Sequence, residues 1–197
     1  MPKIIGLTGG IGSGKTRVVK VFSDLGVPCY IADNAAKELM AKQASLIKQI
    51  KDLFGAKAYN TQGLNRAYIG EVVFSDPQKL QALNAIVHPA VAKDFSLWLA
   101  LQKAPYVIKE VAILFETGGY KAIDQTLLIT APKEVRLQRA MQRDQVAKEV
   151  ILARMNHQWE DEQRIPLANH IINNDIWEET LKEIKRLHTY FLSLSLH

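Results

Sequence analysis

The sequence predicts an α/β protein built on a parallel five-stranded sheet with helices on both faces. Five apolar runs bounded by Gly, Pro, Asn or Asp are typical of buried strands, and they span residues 3–8, 28–33, 106–115, 126–130 and 170–173. Helical periodicity fills the stretches between these runs, an alternation that favours a parallel sheet. The first run also leads through a glycine-rich loop into a helical segment, so the chain opens on a strand–loop–helix unit.

Composition places the chain in the ordinary globular class. Its 197 residues are 48% hydrophobic and 23% charged, which suits one domain carrying an insertion. The single cysteine, Cys29, cannot form an intramolecular disulfide, and the N-terminal residues do not resemble a secretory signal, so we expect a cytoplasmic protein.

The net charge narrows the class of partner. A formal charge of +5 suits either nucleic acid or a polyphosphate substrate, and the chain lacks a dense run of Lys and Arg. We therefore favour a phosphate-bearing substrate and expect no nucleic-acid and no membrane partner. We expect a monomer or a weak homo-oligomer.

The glycine-rich loop carries the most specific chemical signal in the chain. Residues 9–16 read Gly-Gly-Ile-Gly-Ser-Gly-Lys-Thr and match the pattern G-x-x-x-x-G-K-[ST], the P-loop, after a strand and at the start of a helix. In such a loop, backbone N–H groups surround the phosphates, the lysine reaches the β- and γ-phosphates, and the threonine hydroxyl binds Mg²⁺. The motif predicts Thr16 as the Mg²⁺ ligand and an ATP site made of Gly10, Ile11, Gly12, Ser13, Gly14, Lys15 and Thr16.

Residues 34–104 predict an inserted helical domain, because they far exceed one crossover helix and show no strong strand pattern. Pro89 interrupts the longest predicted helix, residues 76–102, and is expected to kink it one turn earlier. Apolar residues three or four apart mark one face of this helix: Leu80, Leu83, Val87, Val91, Phe95 and Trp98.

Residues 132–164 predict a lid made of two charged helices, 132–143 and 147–160. Arg136, Arg139 and Arg143 share one helical face, and Arg154 and Gln158 share one on the next helix. Such faces either neutralise phosphate charge during transfer or are simply solvated, and the spacing alone does not decide. A final amphipathic helix is predicted over 176–194, and residues 1–33, 105–131 and 165–197 form the predicted nucleotide-binding core.

Several other polar residues are candidates for chemistry. Asp33 closes the second predicted strand, at the sheet edge where ligands of open α/β sheets bind, so it is either a catalytic base or the N-cap of the next helix. Glu110 and Glu116 flank the third run and are candidates for magnesium or acceptor binding, or else for caps and salt bridges. His88 is either a substrate donor or a structural histidine.

The ordered set of motifs resembles the dephospho-coenzyme A kinases from Ile4 to the last helix. Beyond the P-loop, the resemblance rests on Ala32-Asp33, Gly63-Leu64-Asn65-Arg66, Val73-Phe74-Ser75, Ile86-Val87-His88-Pro89, Leu114-Phe115-Glu116, Arg139 with Arg143-Asp144, Arg154 with Gln158, and Ile172-Asn173. It implies ATP-dependent phosphorylation of the ribose 3′-hydroxyl of dephospho-coenzyme A, the last step of coenzyme A synthesis. It also implies a sheet of strand order 2-3-1-4-5.

The same resemblance implies roles for individual residues. Asp33 is implied to be the catalytic base, with Lys15 and Arg139 as further catalytic residues. Arg143 and Asn173 are implied to contact ATP. The domain of residues 34–104 is implied to hold the acceptor, whose contacts are Asp33, Arg66, His88, Glu116, Arg154 and Gln158.

The chain departs from the family pattern in two places. Glu110 and Ala112 replace the usual aspartate and proline, which leaves the local backbone less fixed. Asn174-Asp175 replace a common glycine, so the turn beside the adenine is expected to be less firmly held, although asparagine tolerates positive φ better than most residues.

Three alternatives remain for the function. A nucleoside monophosphate kinase shares the P-loop, the inserted acceptor region and the arginine lid. A GTPase is disfavoured, because Asp52-Leu53-Phe54-Gly55 fits D-x-x-G only within a helical stretch and no Asn-Lys-x-Asp follows. An RNA-binding or nucleotide-sensing P-loop protein would use the positive charge for recognition.

Overall fold

The computed structural model describes residues 1–194 and divides the chain into two compact units, Met1–Ile31 with Gln102–His197, and Ala32–Leu101. In chain order the strands and helices are β1 (Lys3–Thr8), α1 (Lys15–Asp24), β2 (Cys29–Ile31), α2 (Ala32–Lys42), α3 (Ala44–Phe54), β3 (Tyr59–Asn60), β4 (Gly63–Leu64), α4 (Arg66–Ser75), α5 (Pro77–Ala100), β5 (Tyr106–Glu110), β6 (Gln125–Thr130), α6 (Lys133–Asp144), α7 (Lys148–Met155), α8 (Asp161–Arg164), β7 (His170–Asn173) and α9 (Trp177–Ser193).

The first unit contains a five-stranded sheet in which every neighbouring pair is parallel. Its order is β2-β5-β1-β6-β7, which confirms the predicted fold class and the predicted strand order. Strand β1 is central because Ile5 and Leu7 are fully buried, in one core with residues of α1 and α9. The end of β1, where the next loop begins, therefore lies between β5 and β6.

The ends of three predicted elements differ from the structure. Strand β2 ends at Ile31, so the prediction that Asp33 closes the strand is wrong: Asp33 lies in the first turn of α2, where a carboxylate is favoured by the helix dipole. Strand β5 ends at Glu110, and the apolar residues that follow form a turn in which Leu114 and Phe115 are buried. An apolar run alone does not distinguish a strand from other buried backbone.

The second helix of the predicted lid is also shorter than expected. Helix α7 ends at Met155, and a separate short helix, α8, begins at Asp161. Glu160 and Gln163 form a capping box at the start of α8, which satisfies backbone donors there and makes a new helix start rather than continuing the old one.

The second unit is helical, with α5 packed against α2, α3 and α4. Asp76 caps α5 by accepting from the N–H groups of Gln78 (2.9 Å) and Lys79 (3.1 Å), and Pro77 occupies the first turn. Pro89 lies inside α5, and the kink expected there stays a prediction. One core cluster of the unit consists of Leu46, Ile50, Phe54, Ala58 and Ile69, and Val87 and Phe95 of α5 are also buried.

The second unit contains one strand pair that the sequence analysis did not predict. Strands β3 and β4 form a two-stranded antiparallel hairpin only two residues long on each side, too short for a period-two pattern to show. The D-x-x-G segment is helical up to Phe54, as predicted. Among residues 1–194, no helix combines the length and the apolar content needed to cross a membrane.

His170 makes the stability of the first unit sensitive to pH. Its ring lies against Tyr190 and Phe191, at centroid distances of 5.2 and 5.3 Å, and its Nε2 is 3.2 Å from Gln125 Oε1. Burial, followed by the positive charge of Arg186, lowers the pKa of His170 below its ordinary 6.5. The unfolded chain therefore binds this proton more readily. The contribution to stability is fully present above pH 6.5 and is lost as the pH falls through the folded-state pKa.

We expect the free energy of unfolding to decrease as the pH falls below 6.5, with the imidazole of His170 titrating below that value. An NMR titration of the ring, together with melting curves on both sides of pH 6.5, measures both effects. A His170→Asn variant provides the control, because it should lose this part of the pH dependence. A folded-state pKa at or above 6.5 would contradict the expectation.

Candidate active site

The P-loop joins β1 to α1 and packs closely on the polypeptide around it. Gly12 (φ 77°) and Gly14 (φ 92°) adopt backbone conformations that favour glycine. A Cβ atom at Gly12 would collide with the carbonyl oxygen of Arg136, and one at Gly14 with the side-chain amide of Asn174. The glycines therefore let the loop lie directly on the first turn of α6 and on the residue after β7.

Lys15 places its ammonium group beside the loop. Its Nζ donates to the carbonyl oxygens of Gly9 (2.7 Å) and Gly10 (3.3 Å). Thr16 follows in the first turn of α1 with its side chain exposed. The loop thus combines a helix N-terminus with a fixed positive charge, an arrangement suited to binding phosphates.

Asn174 holds the P-loop in place through hydrogen bonds of its side chain and backbone. Its Nδ2 donates to Ser13 O (2.8 Å), its Oδ1 accepts from Thr180 Oγ1 (3.1 Å), and its N–H donates to Thr130 O (2.7 Å). Among the non-glycine residues of the described chain, only Gln145 has positive φ, so Asn174 does not imitate a glycine here. This turn, expected to be loosely held, has three hydrogen bonds at one residue.

Two arginines of the predicted lid face hold the loop and its surroundings instead of extending into solvent. Arg136 is 5% exposed, and its Nε donates to Ala131 O (3.0 Å). Arg139 Nη1 donates to the carbonyl oxygen of Asn174 (2.8 Å). The prediction that Arg136 shares one guanidinium face with Arg139 and Arg143 is therefore wrong. Arg136 is buried against the P-loop, whereas the other two are not buried.

Arg143 and Arg154, assigned to ATP and to the acceptor, meet at one carboxylate. Arg143 Nε lies 2.7 Å from Asp144 Oδ1, and Arg154 Nη1 lies 3.0 Å from Asp144 Oδ2. The hydrogen bond from Arg143 is the main cause that lowers the pKa of Asp144, and the charge of Arg154 adds to it. The two side chains are thus near each other on the exposed part of α6 and α7.

Glu116 is bound to a buried arginine that the sequence analysis missed. Its Oε1 lies 2.6 Å from Arg164 Nη2 and accepts from the N–H of Trp159 (3.3 Å). The side chain of Arg164 is fully buried, and its Nη1 lies 3.4 Å from Asp161 Oδ1. A single arginine in a charged stretch carries no pattern that distinguishes it from a surface residue, so only the i, i+3 spacing from Asp161 hinted at a partner.

Gln158 lies at the P-loop, whereas the resemblance assigned it to the acceptor. Its Oε1 accepts from the backbone N–H of Ile11 (2.9 Å). Asn173, assigned to ATP, lies at the end of β7 and lines a groove of about 410 Å³ together with Thr130 and Arg136. Both residues therefore belong to the first unit, with Gln158 at the loop after β1 and Asn173 at the end of β7.

The remaining acceptor candidates belong to the second unit. Asp33 is exposed in the first turn of α2, Arg66 is the first residue of α4, and His88 is exposed on α5. Helix α2 begins at Ala32, so Asp33 is not its N-cap. Within residues 1–194 no hydrogen bond or ion pair joins these three side chains to one another.

The sheet order and the lysine-bearing loop after its central strand define a P-loop phosphotransferase, and three comparisons identify which one. A model of the dephospho-CoA kinase family matches residues 3–179. The dephospho-CoA kinase of Mannheimia succiniciproducens is 36% identical, over 99% of this chain and 94% of that protein. The chain belongs to the dephospho-CoA kinase family.

Solved structures agree with this assignment. A Thermus thermophilus protein superposes with a TM-score of 0.86 at 34% identity, covering 98% of this chain and 97% of that one. The dephospho-CoA kinase of Campylobacter jejuni superposes with a TM-score of 0.72 at 26% identity, covering 98% of each chain. Family membership makes the chain an ATP-dependent kinase with dephospho-coenzyme A as acceptor, and the nucleoside monophosphate kinase alternative is not favoured.

Proposed function

We propose that the chain transfers the γ-phosphoryl group of ATP to the ribose 3′-hydroxyl of dephospho-coenzyme A, with Asp33 as the base. The hydroxyl oxygen bonds to the γ-phosphorus while the bond from that phosphorus to the β–γ bridging oxygen breaks, and ADP leaves. The hydroxyl proton passes to the Asp33 carboxylate. The observation that carries this role is the availability of Asp33: it is exposed, and its side chain makes no hydrogen bond or ion pair with any of residues 1–194.

The phosphates of ATP are assigned to the P-loop, Lys15 and Arg139. Lys15 supports this assignment because its ammonium group already lies beside the loop carbonyls, where a γ-phosphate would gain a positive partner. Arg139 is fixed on the turn after β7, and a fixed cation needs little reorganisation as charge develops. Arg143 and Asn173 are proposed as further ATP contacts.

The donors present fit a magnesium ion bound together with ATP. The Thr16 hydroxyl is exposed at the loop, and Glu110 ends the strand beside β1 in register with Leu7. Mg²⁺ is usually held by one or two protein oxygens together with substrate phosphates, so Thr16 and Glu110 are the residues proposed to hold it. When bound, the ion would neutralise charge on the β- and γ-phosphates.

The acceptor is proposed to bind to the second unit, with Asp33, Arg66 and His88 as contacts, and residues 132–164 are proposed as the lid. Arg66 and His88 support this assignment because both are exposed and each lies on a helix of the unit that also carries Asp33. Glu116 and Arg154 remain proposed acceptor contacts only from the family pattern, and that pattern alone assigns Gln158 to the acceptor as well. Their partners in the structure are Arg164, Asp144 and Ile11.

We also propose a cytoplasmic monomer or weak homo-oligomer with no nucleic-acid or membrane partner. The single cysteine suits a reducing compartment. Three arginines do not add to a basic surface for nucleic acid: Arg136 and Arg164 are buried, and Arg154 forms an ion pair with Asp144.

The function is tested by measuring ADP release with MgATP and dephospho-coenzyme A, with AMP, or with no acceptor. We expect ADP release to depend on dephospho-coenzyme A, and phosphorus NMR to locate the new phosphate on the 3′-oxygen. Faster ADP release with AMP would assign the chain to the nucleoside monophosphate kinases. Acceptor-independent release, with RNA binding that weakens steeply with salt, would indicate the nucleotide-sensing alternative.

A further inference from the structure

Residues 158–164, here called the clasp, contact the P-loop at two successive positions. The clasp begins after α7 and ends with α8. Its first residue, Gln158, is bonded to the N–H of Ile11. Its last residue, Arg164, lies beside Gly10, where a Cβ atom would meet Arg136 Nη1 first and Arg164 Nη1 next, at 3.2 Å. One short segment therefore makes a hydrogen bond to the loop at Ile11 and packs, together with Arg136, beside Gly10.

The contact of Gln158 is made with the loop backbone. Gln158 Oε1 accepts the N–H of Ile11 at 2.9 Å, and the next residue, Trp159, donates its N–H to Glu116. An N–H group that is bonded to a side chain is not a donor for phosphate. The Ser13 N–H is likewise bonded within the loop, to Gly10 O at 3.1 Å. The bond to Gln158 holds the chain immediately before Gly12.

The contact of Arg164 is buried and charged. Its side chain has no exposed surface, and its Nη1 would lie 3.2 Å from a Cβ atom at Gly10. Glu116 (2.6 Å) and Asp161 (3.4 Å) neutralise it, and Thr130 binds Asp161 in turn. Arg164 Nε and Glu116 Oε2 are buried but have no hydrogen-bond partner among residues 1–194. The ion pair therefore does not satisfy all of its own buried polar atoms, which is uncommon in folded proteins.

We propose that Gln158 and Arg164 are positioning residues of the ATP site. Gln158 acts through its hydrogen bond to the backbone of Ile11, and Arg164 acts by packing, together with Arg136, beside Gly10. Neither residue is proposed to touch the acceptor. This proposal rests on the use of ATP by the chain, and it assigns Gln158 to a different substrate from the one the family pattern assigns. The clasp makes the phosphate-binding conformation of the loop part of the folded state, so that ATP does not have to impose it.

The first test replaces Gln158 with leucine, which keeps the size of the side chain and removes the acceptor. Loss of one neutral hydrogen bond to the loop is expected to raise KM for ATP about three- to tenfold and to weaken binding of a non-hydrolysable ATP analogue equally. KM for dephospho-coenzyme A should stay within about twofold of wild type. Gln142→Leu is the matched control, because Gln142 is an exposed glutamine on α6 and its loss should change neither constant.

The outcomes separate the possibilities. A rise in KM for dephospho-coenzyme A with ATP affinity unchanged would overturn the proposal in favour of an acceptor contact. Tighter ATP binding by Gln158→Leu would also overturn it, because Gln158 would then compete with the nucleotide. A lower melting temperature with both KM values unchanged would mean that the contact is merely structural.

A second variant tests Arg164 by the same measurement. Arg164→Lys keeps the charge but cannot bridge Glu116 and Asp161 with a planar fork. We expect a larger rise in KM for ATP than for Gln158→Leu, with KM for dephospho-coenzyme A again unchanged, and an unchanged ATP affinity would overturn the role of Arg164. If this variant does not fold, the Gln158 measurements alone decide the proposal. The wild-type ADP assay tests the function independently of either variant.

Discussion

Replacing Asp33 with asparagine is expected to lower kcat by about 10²–10⁴-fold, with substrate affinities changed far less. A secondary ribose hydroxyl is a poor nucleophile at neutral pH, so a carboxylate that accepts its proton matters mainly as the transition state forms. Asparagine retains the size of the side chain and much of its hydrogen bonding but not its basicity. The loss should therefore appear in kcat rather than in KM.

The measurement consists of kcat, dissociation constants for both substrates and the melting temperature. Asp33 is exposed, and its side chain makes no hydrogen bond or ion pair within residues 1–194, so the melting temperature of the variant should be close to that of the wild type. Asp52→Asn is the matched control, since Asp52 is an exposed aspartate on another helix of the same unit and should leave all values unchanged. An unaltered kcat in Asp33→Asn would remove Asp33 from the catalytic residues.

Replacing Lys15 with alanine is expected to cut turnover by about 10²–10³-fold and to weaken ATP binding as well. The loop glycines and their backbone donors remain in this variant, but the positive charge beside Gly9 and Gly10 is lost. Because that charge interacts with phosphate both before and during transfer, kcat and ATP affinity should fall together. This behaviour distinguishes Lys15 from Asp33.

Lys20→Ala is the control for this second prediction. Lys20 lies on the exposed side of the same helix, and within residues 1–194 its one ion-pair partner is Asp24, at 2.9 Å. Exposed pairs of this kind contribute little to stability, so the control should retain wild-type kinetics and melting. Wild-type ATP affinity and kcat in Lys15→Ala would contradict the P-loop assignment itself.

The fold was largely predictable because its signals are local or strongly patterned. The P-loop glycines, the apolar run of β1 and the Asp76-Pro77 start of α5 each act within a few residues. The ends of elements were less predictable. Asp33 was predicted to close a strand although it lies in the first turn of a helix, because the boundary between Ile31 and Ala32 depends on sheet pairing that ends there.

The candidate site was predictable where a motif carries it and not where tertiary contacts do. Lys15 and Thr16 are predictable from the motif alone. The burial of Arg136 and of Arg164 is not, because helical spacing shows which residues share a face but not which face is buried. The partners of these arginines, such as Glu116, are far away in the sequence, and no local pattern joins them.

The position of β1 at the centre of the sheet has a consequence for how the chain folds during synthesis. β1 is made first, but its neighbours β5 and β6 lie beyond residue 105, so it stays unpaired until more than half of the chain has emerged. The unit Ala32–Leu101, in contrast, is one continuous stretch, and its cluster of Leu46, Ile50, Phe54, Ala58 and Ile69 forms from residues of that stretch alone. Contacts between nearby residues form sooner than those that close long loops. The helical unit is therefore the part of the chain that can complete its core first on the ribosome, while the phosphate-binding loop must wait for strands translated later.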